Sequence, residues 1–227
     1  MVQKSVFIAA LLILGLVCAP AGAQAALAAN LLDNGSFETG FEPPTGEFRT
    51  LNASDDSFDD ITGWLVNGSV DWKNNYWTAQ EGDRSLDLSG ASIGAISTTF
   101  ATIPGEIYTV IFYMSGNFAH NDLDGNPLYK RVRVSAAGES HTFYFERPDE
   151  WSTDNMGWIQ RTFVFVAEDS STLLTFASLD NNAFGPALDN VEVLGLSPPT
   201  GVPVPGTVWL LGSGLLGLLG WRRKKRT

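Results

Sequence analysis

Most of residues 30–196 consists of short runs in which apolar and polar residues alternate, cut by Gly, Pro, Asn and Asp. Alternation with period two puts every second side chain on one face, as a half-buried strand requires, and no stretch carries a convincing helical stripe. Ser85–Ser89 places Leu86 and Leu88 on one face and Asp87 on the other. Lys130–Ala136 turns Val132 and Val134 inward and Arg131 and Arg133 outward, and Thr142–Glu146 does the same with Phe143 and Phe145 inward. After the turn at Pro104-Gly105, Ile107–Ser115 is apolar enough to predict a central strand buried on both faces. Together with Asn30–Glu38, Ile96–Thr102, Ile159–Val166, Leu173–Ser178 and Leu188–Leu194, the pattern predicts eight to ten strands, an all-β chain and a two-sheet sandwich. Ile107, Val110, Phe112, Phe143, Phe163, Phe165 and Phe176 are its expected core. Between Phe41 and Ile61 the pattern lapses into Pro43-Pro44 and the acidic Ser54–Asp60, which reads as a long surface loop.

Both ends of the chain break this pattern. Lys4, the apolar Ser5–Ala19 and the small residues running to Ala29 predict a secretory signal peptide over residues 1–29, with small-x-small sites ending at Ala23, Ala25 and Ala28. The four prolines around residues 197–205 predict a linker. Gly206–Trp221 then runs without a charge and is followed by Arg222-Arg223-Lys224-Lys225-Arg226. As a helix it would be about 24 Å long, marginal for a bilayer core of about 30 Å. The basic cluster predicts a cytoplasmic C-terminus and an exported domain. A plain membrane anchor and a sorting signal removed during export both fit residues 206–227.

Taken by region, composition sharpens the picture. Without Lys4 and the basic tail, residues 30–200 hold eight Lys and Arg against 25 Asp and Glu, about −17. Such a surface repels phosphates and argues against nucleic acid as a partner. The one cysteine, Cys18, lies in the predicted signal peptide, so the exported part has no disulfide, thiol nucleophile or Cys-ligated metal.

The tail, with Pro203-Val204-Pro205 ahead of a short apolar stretch and a basic cluster, resembles the PEP-CTERM sorting domain of exopolysaccharide-producing bacteria. That resemblance implies an exosortase, a membrane transpeptidase, as partner, although Val204 stands where the motif has Glu. An ordered series in residues 30–196 carries a second resemblance. It runs from Leu31-Leu32-Asp33-Asn34-Gly35-Ser36-Phe37-Glu38 through Ser69-Val70-Asp71 to Tyr76-Trp77, Glu81-Gly82 to Ser85-Leu86-Asp87-Leu88, and Ile103-Pro104-Gly105 with Tyr108, to Gly185-Pro186-Ala187-Leu188-Asp189-Asn190-Val191. This series resembles the choice-of-anchor C family, whose domain is similar to galactose-binding-like jelly rolls, and it implies fold and location more than chemistry. In jelly rolls of that kind a structural calcium often ties the first strand to the last. The matching positions are Glu38 and Asp189, with Asp33 and Asp87 as further candidates. Hard cations want six to eight oxygens, and this chain has acids in excess. The alternative is that these acids serve backbone amides at strand ends.

His120 and His141 are the only histidines, and no Ser-His-Asp spacing, His-x-x-x-His pair or phosphate loop surrounds them. No catalytic residue is assigned. A glycosidase pair such as Glu146 with Glu150 stays open, because such pairs assemble in space. For sugar binding the useful residues are flat aromatics beside polar groups. Trp72, Tyr76 and Trp77 form one candidate group and Trp151 with Trp158 another, against the alternative that large aromatics plug sandwich edges. The expected function is a non-catalytic surface or matrix module associating with exopolysaccharide. A structural or adhesive protein without a small ligand is the alternative, and a glycan hydrolase a distant third.

Overall fold

A computed structural model describes residues 29–117, 129–146, 148 and 151–195. The predicted signal peptide, linker and tail, with Pro203, Val204 and Pro205, lie outside the described residues, as do His120 and Glu150. Eleven strands are described: β1 (Ala29–Asn30), β2 (Phe48–Asn52), β3 (Leu65–Asn74), β4 (Arg84–Asp87), β5 (Gly94–Ala101), β6 (Ile107–Gly116), β7 (Tyr129–Ala136), β8 (Glu139–Glu146), β9 (Ile159–Val166), β10 (Ser171–Ser178) and β11 (Pro186–Gly195). The described residues contain no helix long and apolar enough to cross a membrane.

All pairings are antiparallel, and the strands form two layers sharing one strand. The first layer runs β8-β7-β10-β5 and ends on Leu65–Gly68 of β3. The second begins where the rest of β3 pairs with β2 on one side and β4 on the other, and continues through β11 and β6 to β9. β1 lies against the end of β11, with Ala29 opposite Gly195. β3 changes layer at Gly68, where φ is +72° and a Cβ would stand 2.4 Å from the Ile93 carbonyl oxygen, so only glycine fits. Between the layers pack Phe37, Leu51, Ile61, Trp64, Val70, Trp72, Leu86, Leu88, Val110, Phe112, Phe165 and Phe176. This is the expected all-β, two-sheet sandwich.

Several expectations are corrected. The stretch Phe41–Ile61 contains a strand, β2, and β3 is a ten-residue strand that the turn-like Asn67-Gly68-Ser69 conceals. Asn30–Glu38 is strand only at its first residue; beyond it the chain is held by side chains, with Asn34 Nδ2 donating to the carbonyls of Thr39 (3.0 Å) and Thr62 (2.8 Å). β6 is buried on one face alone: Tyr108, Val110, Phe112 and Met114 are covered, whereas Thr109, Ile111 and Tyr113 are half-buried because no third layer lies outside β6 and β9. Ile107 is therefore 63% exposed and not core, and Phe143 is half-buried, its ring edge-on to Phe112 at 5.1 Å.

Candidate functional site: an aromatic depression on the outer face of the second layer

Alternation along β3 decides the fate of the first aromatic group. Val70 and Trp72 point into the sandwich, and Trp72 is fully buried with its indole Nε1 donating to the Phe37 carbonyl at 2.9 Å. Trp72 is thus a core residue that presents no face to a sugar. Asp71 and Lys73 point the other way, onto the outer face of the second layer, where the chain after β3 folds back over them.

That fold-back places the remaining aromatics. Trp77 lies down on the sheet, buried, with Nε1 donating to Ser85 Oγ at 2.7 Å, and with Met156 and Ala187 it forms a small second core. Tyr76 and Trp158 pack against this core half-buried. Trp158 Nε1 donates to the Thr78 carbonyl at 3.0 Å, and the Thr78 amide donates to the Thr153 carbonyl at 2.8 Å, which laces the two covering segments together. Trp158 thus joins Tyr76 and Trp77, while Trp151 packs elsewhere, against Phe145 at 5.9 Å. The Lys73 ammonium lies beneath the rings, 4.0 Å from the Phe48 centroid, 4.6 Å from Tyr76 and 5.1 Å from Trp77, and 2.9 Å from Asp71 Oδ2. The cage is filled by the protein's own cation, which holds the rings in place.

Above it is an open depression of about 310 Å³, lined by Asn75, Tyr76, Thr78, Asp83, Thr153 and Asp154 among others. An aromatic ring at the rim, amide, hydroxyl and carboxylate groups around it, and an open top are what a pyranose needs to stack one face and hydrogen-bond its edge. Burial and the carboxylates of Glu47, Asp87 and Asp71 push the Tyr76 phenol above its ordinary value, so its hydroxyl stays a donor.

Beneath the aromatics, Asp87 is completely buried. Its Oδ1 accepts from the amides of Ser89 (2.9 Å) and Gly185 (3.0 Å), and its Oδ2 from Asn117 Nδ2 (2.6 Å). Burial pushes this carboxyl up to about 7, against the pull of Lys73, the Ser89 amide and Asn117, with Asp71 adding to the rise. Gly185 is required at this contact, because a Cβ there would stand 2.6 Å from Asp87 Oδ1. Sealed from the depression, Asp87 is a floor joint between β4 and the approach to β11, not a proton donor to a ligand.

The four predicted calcium ligands come to different places. Glu38 and Asp189 both hold the loop before β4: Glu38 Oε1 accepts from the amides of Asp83 (3.0 Å) and Arg84 (2.8 Å), and Asp189 Oδ2 from those of Gln80 (2.7 Å) and Glu81 (3.1 Å). A bulge between Asp189 and Glu192, with Asn190 at φ +45°, aims the Asp189 carboxylate at that loop. Burial pushes Asp189 up to about 7, with the neighbouring Glu38 contributing, while the Glu81, Gln80 and Asn190 amides oppose. Arg84 Nη1 sits 3.2 Å from Glu38 Oε2, a cation where a second cation would have to bind. Asp33 is exposed, and Asp87 serves the floor just described. Glu38 and Asp189 thus meet at one loop, apart from Asp33 and Asp87, and among the described residues no three His, Cys, Asp or Glu side chains group to hold a metal. Of the possible glycosidase pair, Glu146 is exposed and accepts from the Tyr129 hydroxyl at 3.2 Å, and Glu150 lies outside the described residues.

A family profile described as "Protein of unknown function (DUF642)" matches residues 30–194. The chain belongs to the DUF642 family. The match covers the same stretch as the ordered series of motifs, and in this DUF642 domain those motifs are the Asn34 hub, the Glu38 and Asp189 loop clamps and the Gly185–Asp87 joint. A second profile, the PEP-CTERM protein-sorting motif, matches residues 201–224, so the Pro-Val-Pro variant falls inside a recognised sorting signal. Halomucin of Haloquadratum walsbyi is 30% identical over 190 residues, or 81% of this chain, which spans about 2% of that protein's length. Among solved structures, the CBM22-1 xylan-binding domain of Paenibacillus barcinonensis Xyn10C aligns at 17% identity over 77% of this chain and 99% of its own, TM-score 0.45. A family 35 carbohydrate-binding module from Clostridium thermocellum aligns at 13% identity over 65% and 98%, TM-score 0.43. Such likenesses say nothing about what this DUF642 domain binds.

Proposed function

We propose that the protein is exported, sorted through its PEP-CTERM tail, and serves outside the cell as a non-catalytic module that holds extracellular polysaccharide. The observation that carries the sugar reading is the half-buried Tyr76 ring at the rim of the depression, beside Asn75, Thr78, Thr153 and Asp154 and fixed from below by Lys73. A rigid ring with polar neighbours is a stacking platform that loses little entropy on binding. A non-catalytic reading is supported by the two carboxyls pushed up to about 7 on this side, Asp87 and Asp189, both buried and bound to backbone amides.

Affinity electrophoresis of the full-length protein through gels carrying neutral polysaccharides tests this reading. Retardation by at least one neutral polymer is expected, and Tyr76→Ala should weaken it roughly tenfold, the scale of one stacked aromatic, in a domain that stays folded with a somewhat lowered melting midpoint, since the ring also packs on Trp77 and Lys73. Binding that survives Tyr76→Ala moves the site elsewhere. A structural or adhesive role without a small ligand is favoured by one feature, the exposed apolar strip of Ile107, Val164 and Val166 outside β6 and β9. No retardation by any polymer, together with self-association lost on Val164→Lys, would select it.

A further inference from the structure

The opposite face of the molecule carries an independent arrangement. Seven Lys and Arg residues are described, and six are engaged. Arg49 pairs with Asp60, Lys73 with Asp71, Arg84 with Glu38 and Arg131 with Asp180, while Lys130 and Arg161 donate to the carbonyls of Phe184 and Tyr144. Arg133 alone makes no hydrogen bond or ion pair among the described residues, and it is exposed. In a domain with eight cations against 25 acids, an unneutralised arginine held on a rigid strand is a conspicuous exception.

Its surroundings are specific. Arg133 points outward from β7, directly opposite Thr142 on β8 and Ala177 on β10. One step along, Ser135 lies between Ser140 and Thr175, so hydroxyls flank the guanidinium on a flat face. Diagonally across the β7–β8 pair stands Tyr144, opposite Arg131 and 55% exposed. Diagonal neighbours across a strand pair lie within reach of long side chains. Arg133, Ser135, Ser140 and Thr175 line one depression of about 580 Å³ on this face. Glu139, Glu168 and Asp169 line it too, at the β7–β8 hairpin end. Ala136, which pairs with Glu139, is three residues along β7 from Arg133, about 10 Å away.

We infer that the outer face of the first layer is a second binding site, taking the uronate residues of an acidic polysaccharide, with the sugar carboxylate on Arg133. A guanidinium presents a planar fork that matches a carboxylate through two parallel N–H···O bonds. The Ser and Thr hydroxyls serve as donors or acceptors for ring hydroxyls, and the Tyr144 ring offers a stacking surface. The hairpin acids orient the ligand, turning its carboxylate toward Arg133 and its neutral edge toward Glu139 and Glu168. The overall negative charge does not forbid this, because at physiological ionic strength charges more than about 8 Å away are largely screened. This site is on the other layer from Tyr76 and does not rest on the sugar reading given there.

The test is affinity electrophoresis of the full-length protein against polygalacturonate, its fully methyl-esterified form and dextran sulfate. Polygalacturonate should retard the protein and the ester should not. Arg133→Ala should weaken the retardation roughly tenfold or more, the scale of a charged hydrogen-bonded contact. Arg133→Lys, which keeps the charge but loses the fork, should fall between, and Tyr76→Ala should leave uronate binding unchanged. Melting midpoints of the Arg133 variants should match the parent, since the side chain is exposed and unpaired among the described residues. Equal retardation by acid and ester, or full retardation of Arg133→Ala, overturns the site. Stronger retardation by dextran sulfate than by polygalacturonate overturns the carboxylate assignment.

Discussion

Single residues decide most of what this chain does with its acids. Asp87 and Asp189 are both held near 7, well above the ordinary 3.8, chiefly by burial. A carboxyl whose folded value is raised favours the folded state in its protonated form. That contribution is complete below about pH 3.8 and is lost as pH rises through 7. Lys130, lowered by burial to about 8, changes stability only above that range. The melting midpoint should therefore fall between pH 5 and pH 7, by at most about 2–3 kcal/mol of stability per carboxyl. Asp87→Asn keeps an oxygen for the Ser89 and Gly185 amides, and Asn117 can turn its own oxygen toward the new amide, so the variant should fold and show a shallower slope. A midpoint that climbs over this interval, or an unchanged slope in the variant, would contradict the assignment. Trp72, a candidate sugar platform in the sequence, points inward with Val70, a parity that the blurred alternation of β3 hid. What no local pattern could show is that Trp158 would join Tyr76, because 82 positions separate them and only the order β3-β4-β11-β6-β9 of the second layer brings their strands into one sheet.

At the scale of elements, alternation located β5 to β11 to within a few residues, because those strands bury one face cleanly. β2 and β3 were illegible for a physical reason. The outer face of β3 carries Asp71 and Lys73, both buried, and that of β2 the exposed Phe48, so polar residues are covered, an apolar one is not, and the period-two contrast vanishes. The opening Asn-Gly-Ser-Phe-Glu has strand-like composition yet acts as a hub, its Asn34 and Glu38 holding segments 28 and 46 residues away. Backbone amides of the 80–84 loop already bind the Glu38 and Asp189 carboxylates, so melts with excess calcium and with chelator should give equal midpoints. A higher midpoint with calcium would point to a metal clasp at this loop.

For the whole molecule, the domain and its tail answer to separate physics. The sandwich has its own core, whereas residues 201–224 carry the PEP-CTERM sorting motif. Expressed in a host with an exosortase, the full chain should appear first in the membrane fraction and then as a species shortened at its C-terminus, by mass spectrometry of the intact protein. Deleting Arg222–Arg226 should leave the long form in place. If the long form persists in the unaltered protein, plain anchoring is the better account. The two candidate sites, on opposite outer faces, could then engage two polymers at once, which raises avidity without any new contact.

β11 is the last strand of the domain and runs inside its layer, bonded to β4 and β6 along one half and to β6 and β1 along the other. A load applied beyond Gly195 is drawn along this strand's axis, and antiparallel hydrogen bonds lie across that direction. They are strained side by side and must yield together, not one after another as in an unzipped hairpin. A domain hung by this strand while its faces grip a gel under flow would resist stretching through the same strand that joins it to its tether.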